Sequence, residues 1–146
     1  MLKYPHPSLR KENVTITEFN DELKILANEM LLVMYAAEGI GLAAPQVGVN
    51  KRVMVFNELG ESTRKEKEMV LVNPVILAKS EETDILEEGC LSFPMIHGDV
   101  QRHKWIEVDY YTVLGERKTA TFEGFKARIF QHEYDHLDKV LNYNTN

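Results

Sequence analysis

Apolar residues recur at the spacing of an amphipathic helix between Phe19 and Ala37. They fall three or four positions apart, at Phe19, Leu23, Leu26, Ala27, Met30, Val33, Met34 and Ala37. This spacing places them on one face of a helix, which is therefore buried. Thr17 is the predicted N-cap, and Gly39 is placed to end the helix.

The segments after this helix carry the β-branched and aromatic residues typical of strands. They are Arg52–Phe56, Met69–Leu77, Trp105–Val113 and Lys118–Phe122. Asn73 and Pro74 interrupt the second, which indicates an edge or a bend. Residues 114–116 (LGE) indicate a hairpin between the last two.

The remaining segments complete the fold prediction. The charged stretch Gly60–Glu68 is interpreted as a solvated loop, with a docking surface as the alternative. Phe125–Leu141 is predicted to be the last helix. Strands gathered between two helices favour an α+β domain, with a mainly antiparallel sheet packed against an N-terminal and a C-terminal helix.

Length and charge exclude several classes of protein. The chain has 146 residues, which suits one domain over residues 1–146. Lys and Arg number 17 against 23 Asp and Glu, giving a net charge of −6. This charge argues against direct nucleic-acid binding and against attraction to an anionic membrane.

The sequence also bears on location and redox chemistry. No apolar run approaches the ~20 residues that span a bilayer. The N-terminus has no signal or transit pattern, so a cytoplasmic location is expected. Cys90 is the single cysteine, which excludes an intramolecular disulfide.

The last predicted helix contains two histidines, His132 and His136, at positions i and i+4. They lie one turn apart on one face, so both rings can reach a single metal ion. Glu133 points about 100° around the helix, where it can meet a metal-bound water. The alternative is a chance HExxH pattern on a solvated surface helix.

A catalytic site of this kind needs a third protein ligand. A downstream glutamate is lacking, and the extended zincin pattern fails because Lys139 and Asn142 stand where glycine and histidine would be. Cys90 remains, preceded by Gly89 and flanked by glutamates and a serine. A thiolate is a strong ligand, although a buried structural cysteine is the ordinary alternative.

The segment Gly39–Gln46 (GIGLAAPQ) is a third point of interest. Its glycines are typical of a tight turn after a helix. Gln46 adds an amide donor that could polarise a carbonyl, although a solvent-facing glutamine is the ordinary case.

Together these segments resemble the peptide deformylase family. That family is marked by three motifs, GφGφAAxQ, EGCLS and HExDH, where φ is apolar. The chain has all three, in order and complete, at Gly39–Gln46, Glu88–Ser92 and His132–His136. The arm KYPHPSLR and Glu38 are also similar to the family.

The resemblance implies roles for particular residues. Cys90, His132 and His136 would be metal ligands and Glu133 the general acid and base. Gln46 and the backbone N–H of Leu91 would hold the developing oxyanion. The backbone around Ile40, Gly41 and Gly89 would bind the substrate peptide, and a methionine pocket is expected from Ile40, Leu86, Phe125 and Ile129, with Arg128 at its mouth.

The resemblance also implies an activity. The protein would remove the N-formyl group from the N-terminal methionine of newly synthesised polypeptides, with one divalent metal ion per chain. The expected metal is Fe²⁺, with Zn²⁺, Ni²⁺ or Co²⁺ as alternatives. Another amide-cleaving metallohydrolase, such as an aminopeptidase, and a non-catalytic binder of formylated N-termini stay open.

The chain departs from the family pattern after the second histidine. Lys139 replaces a glycine and Asn142 an aromatic residue. The chain stops at Asn146, without a C-terminal extension, as in phage-encoded or organellar-type relatives, which leaves ribosome docking open. Asp135 is expected to orient a ligand or to pair with a cation such as Arg102, while His6, His97 and His103 lack ligand spacing.

Overall fold

A computed structural model describes residues 13–90 and 93–138, and for residues 84–90 and 93–100 it describes the backbone alone. The first helix, α1, spans Asp21–Ala36. Its N-cap is Asn20, whose side chain accepts a hydrogen bond from the Leu23 N–H at 3.1 Å. The prediction of Thr17 as N-cap is therefore wrong, because Asn20 lies immediately before the first helical turn and caps it.

The end of α1 also differs from the prediction. Glu38, rather than Gly39, takes the left-handed conformation, with φ of 57°. The Gly39 N–H donates to the Met34 carbonyl at 2.8 Å and closes the last turn. The chain then enters the first strand directly.

The described part of the chain has seven strands after α1, all paired antiparallel. They are β1 (Gly41–Ala43), β2 (Val53–Asn57), β3 (Glu68–Lys79), β4 (Thr83–Cys90), β5 (Phe93–His103), β6 (Trp105–Tyr111) and β7 (Arg117–Glu123). One sheet has the order β1-β2-β3-β6-β7, and β4 and β5 form a separate two-stranded sheet. The four predicted strands are present as β2, β3, β6 and β7, whereas β1 and the β4–β5 hairpin were not predicted.

The second helix, α2, spans Gly124–Leu137. It ends before the predicted Leu141, and residues 139–141 lie outside the described residues. The α+β class and the mainly antiparallel sheet are confirmed. No helix in the described part of the chain is long and apolar enough to cross a membrane.

The five-stranded sheet is buried on both faces at β2. On one face, Val53 and Val55 of β2 and Leu42 of β1 pack with Met30 and Met34 of α1. On the other face, Met54 and Phe56 of β2 and Phe122 of β7 pack with Ala127 and Phe130 of α2. This alternation follows from the two-residue period of a strand, and it places α2 directly across the sheet from α1.

The interruption at Asn73 and Pro74 is a bend within β3. The pairing of β3 with β6 shifts register between Val72 and Val75, and Asn73 has φ of 51°. Its side chain accepts from the Ile16 N–H at 2.8 Å and donates to the Ile16 carbonyl at 2.9 Å. The bend therefore fastens the segment before α1 to the sheet.

Candidate active site

The two histidines of the HExxH motif lie side by side on α2. The ring centroids of His132 and His136 are 5.5 Å apart, and the residues are 7% and 3% exposed. This burial excludes a pair of solvated histidines on a surface helix. The spacing of i and i+4 on one face is the arrangement that two imidazole ligands of one ion need.

Burial sets the protonation of His136. Loss of solvent is the largest cause, and together with the charges of His132 and Arg102 it lowers the pKa of His136 to about 3. The imidazole is neutral near pH 7 as a result, which is the form that binds a metal. Its surroundings therefore keep His136 as a neutral imidazole that can bind a metal, rather than as a charged surface side chain.

The side chain of Glu133 lies in the interface between its own helix, α2, and strand β1, and the residue is 3% exposed. A Cβ atom added at Gly41 would lie 2.9 Å from Oε2 of Glu133 and 3.0 Å from Cγ2 of Ile129. The helix therefore packs on the bare backbone of Gly41. Three predicted site residues meet at this contact: Gly41 of the first motif, Glu133 of the third, and Ile129, which lies one helical turn before Glu133.

Gln46 is also buried, with no exposed surface. It lies in a 3₁₀ turn, Ala44–Val47, that follows β1 at once. Its Oε1 accepts a hydrogen bond from the Ala43 N–H at 2.8 Å. This bond fixes the side chain and makes Nε2 the donating end of the amide; its burial excludes the alternative of a solvent-facing glutamine.

Cys90 is the last residue of β4, where the pairing with β5 changes register between Gly89 and Cys90. Strand β5 in turn contacts α2. Among the described side chains, no group of three His, Cys, Asp or Glu residues is placed to hold a metal. Of the three predicted ligands, His132 and His136 have described side chains. The side chain of Cys90, the predicted third ligand, lies outside those that the structure describes, and Leu91 lies outside the described residues.

The residues expected to form the methionine pocket have different environments. Ile129 is 3% exposed, Arg128 is buried, Ile40 is half-buried, and Phe125 is 53% exposed at the first turn of α2. Ile129 lies against Gly41, as described above. The side chain of Leu86 lies outside those that the structure describes.

Several polar contacts hold α2 to the hairpin. Arg102 on β5 pairs with Asp135, as the sequence had suggested. Gln131 accepts a hydrogen bond from the His103 N–H and donates to the His103 carbonyl, both at 2.8 Å. His103 bonds the Ser80 carbonyl through Nδ1, which agrees with its expected hydrogen-bonding role. Sequence analysis missed Gln131, although its place beside His132 was a signal.

Two further contacts missed from the sequence lie at the C-terminus of α2. The Asn13 amide donates to the carbonyls of Leu137 at 2.7 Å and His136 at 3.4 Å. Arg52 lies 3.3 Å from Asp138 and 3.4 Å from the Leu137 carbonyl. These groups bind the last carbonyls of the helix, which have no partner within it.

The sequence is similar to those of known peptide deformylases. A chloroplastic peptide deformylase 1B of Solanum lycopersicum is 49% identical over 97% of this chain and 50% of its own length. The chain spans 50–52% of the length of the plant relatives it matches. A Thermotoga neapolitana peptide deformylase is 44% identical over 92% of this chain and 79% of its own.

Solved structures give the same result. A peptide deformylase from Plasmodium falciparum superposes with a TM-score of 0.95 and 42% identity, over 99% of this chain and 84% of the other. One from Thermotoga maritima has a TM-score of 0.91 and 40% identity, over 99% and 94% of the two chains. The polypeptide deformylase family model matches residues 1–145, so the chain belongs to the polypeptide deformylase family.

Proposed function

We propose that the protein removes the N-formyl group from the N-terminal methionine of newly synthesised polypeptides and releases formate. The observation that carries this proposal is the meeting of Glu133, Gly41 and the histidine pair in one buried site. These residues are the proposed proton carrier, part of the proposed peptide-binding backbone and two of the proposed metal ligands. Family membership supports the same activity.

The expected metal ligands are Cys90, His132 and His136, with Fe²⁺ as the native ion and Zn²⁺, Ni²⁺ or Co²⁺ as alternatives. When bound, the ion would make hydroxide available near neutral pH. Glu133 then takes the proton of the attacking water and passes it to the departing amine. The oxygen atom of that water adds to the formyl carbon, and the C–N bond between the formyl group and the methionine breaks. The products are formate and a free methionine N-terminus.

Gln46 and the Leu91 N–H would donate to the oxyanion that forms on the formyl carbon. Preorganised donors are effective because they need no reorganisation during the reaction. The bond from Ala43 to Gln46 Oε1 supports this role, since it holds the side chain in place. The backbone of Ile40, Gly41 and Gly89 would bind the peptide, and Leu86, Phe125, Ile129 and Arg128 would enclose the methionine.

The substrates would be nascent chains, met in the cytoplasm and at the ribosome, without direct contact to nucleic acid. The name of the tomato relative points to a chloroplast for that protein.

Formate release from a formyl-Met tripeptide tests the proposal, using protein purified without oxygen and assayed for metal on the same sample. Release at about one metal per chain is expected. Glu133→Ala should keep the metal and lose turnover, with Glu133→Gln as the isosteric control. Undiminished turnover in Glu133→Ala would exclude the proton-transfer role.

The same assay separates the alternatives. Cleavage of the unformylated peptide would indicate an aminopeptidase. Binding of formyl-Met peptide without release, at a full metal site, would indicate a non-catalytic binder. A half-life in air equal to that under nitrogen would argue against Fe²⁺, because ferrous sites and their thiolate ligands are sensitive to oxidation.

A further inference from the structure

The side-chain amide of Asn57 is a buried junction beside the proposed peptide site. Asn57 closes strand β2 and has no exposed surface. Its Nδ2 lies 3.1 Å from Tyr35 Oη, 3.1 Å from the Glu61 carbonyl and 3.2 Å from the Arg64 carbonyl. One amide group thus binds the last turn of α1 and two carbonyl groups of loop 58–64, which follows β2.

The same residue orders the near part of that loop. Asn57 Oδ1 accepts from the Leu59 N–H at 2.9 Å, and its carbonyl accepts from the Gly60 N–H at 2.9 Å. Gly60 has φ of 65°, which glycine adopts without strain. A Cβ atom added at Gly60 would lie 3.3 Å from Cγ2 of Ile40, so the tip of the loop lies against Ile40.

Asn57 also reaches the peptide-binding segment through its backbone. Its N–H donates to the Ile40 carbonyl at 2.9 Å, next to the pairing of Gly41 with Phe56. Tyr35 donates to Glu68 Oε2 at 2.6 Å and so ties α1, which leads into Ile40, to the start of β3. Ile40 is therefore held from three sides, by α1, by β2 and by the tip of loop 58–64.

We propose that Asn57 is a positioning residue for substrate binding. Its amide fixes loop 58–64 and the end of α1 against Ile40, so that the backbone of Ile40 and Gly41 is presented in the conformation that pairs with an extended peptide. This inference rests on the proposed function. It assigns Asn57 to peptide affinity rather than to the chemical step, because the hydrogen bonds of Asn57 reach Tyr35, Ile40 and loop 58–64 rather than the proposed catalytic groups.

Asn57→Asp is the sharpest test, because it keeps the size and the Oδ1 acceptor. It replaces the donor by a carboxylate oxygen facing three oxygen atoms. We expect KM for a formyl-Met tripeptide to rise about tenfold, with kcat within about twofold of the parent, as for loss of uniform binding. Formyl-Met without further residues should show a smaller rise, since it makes fewer backbone contacts.

Asn73→Asp is the matched control. Asn73 also uses both ends of its amide on backbone groups, but it binds Ile16 and not the peptide segment. We expect its KM to stay within about twofold of the parent. An equal KM rise in both variants would overturn the proposal, because a general loss of rigidity would then explain the effect.

Hydrogen exchange gives a readout independent of turnover. Asn57→Asp should speed exchange of the amides of 57–64, including the Asn57 N–H that binds Ile40. Faster exchange with an unchanged KM would overturn the proposal. An inactive parent enzyme would instead reject the proposed function. If Asn57→Asp does not fold, Tyr35→Phe removes one acceptor of the amide, and an unchanged KM in that variant would count against the junction.

Discussion

Oε2 of Glu133 lies where a Cβ atom at residue 41 would approach it to 2.9 Å, so Gly41 sets the position of the proposed proton carrier. Gly41→Ala should displace the Glu133 carboxylate by a few tenths of an ångström. We expect a loss of about 10- to 100-fold in kcat, since misplaced catalytic groups are costly. Steady-state formate release measures it.

Gly124→Ala is the control for this variant. Gly124 has φ of 60°, and a Cβ atom added there would meet nothing within 4 Å. That substitution costs backbone strain without touching Glu133, so it should lower stability and leave kcat unchanged. A matching fall in kcat for both variants would contradict the steric explanation.

Asn13 is expected to support α2, the helix that carries the proposed ligands His132 and His136. Asn13→Ala leaves the buried carbonyl of Leu137 without its 2.7 Å donor. We expect the free energy of unfolding to fall by about 1–3 kcal/mol. Urea denaturation measures the loss as a shift in midpoint at constant slope.

Asn20→Ala provides a comparison for Asn13→Ala, because it removes the N-cap of α1 at a cost of about 1 kcal/mol. Only Asn13→Ala should also speed release of the metal to a chelator, because it alone loosens the end of α2 beside His136. Equal release rates would show that the capping bond does not reach the site.

Glu38 occupies a left-handed backbone position that favours glycine. Glu38→Gly should raise the free energy of unfolding by about 1 kcal/mol, because the steric cost of a Cβ atom disappears. Glu38→Ala keeps that cost and should bring no gain. A thermal melt of the three proteins checks the order, and a stabilised Glu38→Ala would point to charge instead.

Cys90 is the expected third metal ligand. Cys90→Ala should reduce metal after dialysis from about one ion per chain to near zero. His103→Ala is the control, since His103 bonds Ser80 and is not an expected ligand. Full retention of metal in Cys90→Ala would remove Cys90 from the ligand set.

The core of the fold could be predicted because periodicity reports burial. The residues of α1 that face the sheet, such as Met30 and Met34, are the ones that its spacing selected. The N-cap was misplaced because Thr17 and Asn20 are both good caps, and only the fold decides between them. The β4–β5 hairpin escaped prediction because acidic residues and Gly89 are atypical of strands.

The residues of the candidate site also fall into those that could be predicted from the sequence and those that could not. The chemistry of His132, Glu133 and Gln46 could be proposed from residue type, spacing and family resemblance. The positions of Asn13, Asn57 and Gln131 could not, because each binds backbone groups of distant segments. An asparagine or glutamine in a sequence carries no sign of which carbonyl it will meet.

The hydrogen bond between Asn13 and Leu137 joins residues 124 positions apart. Helix α2 also packs on β1, which is the first strand of the described chain. Contacts of such separation form late, since a long loop must close first. A chain emerging from the ribosome can pair β1 to β7 before α2 exists, but it cannot place Glu133 against Gly41. The proposed site would therefore be complete only after α2 has been synthesised, however early the strands have paired.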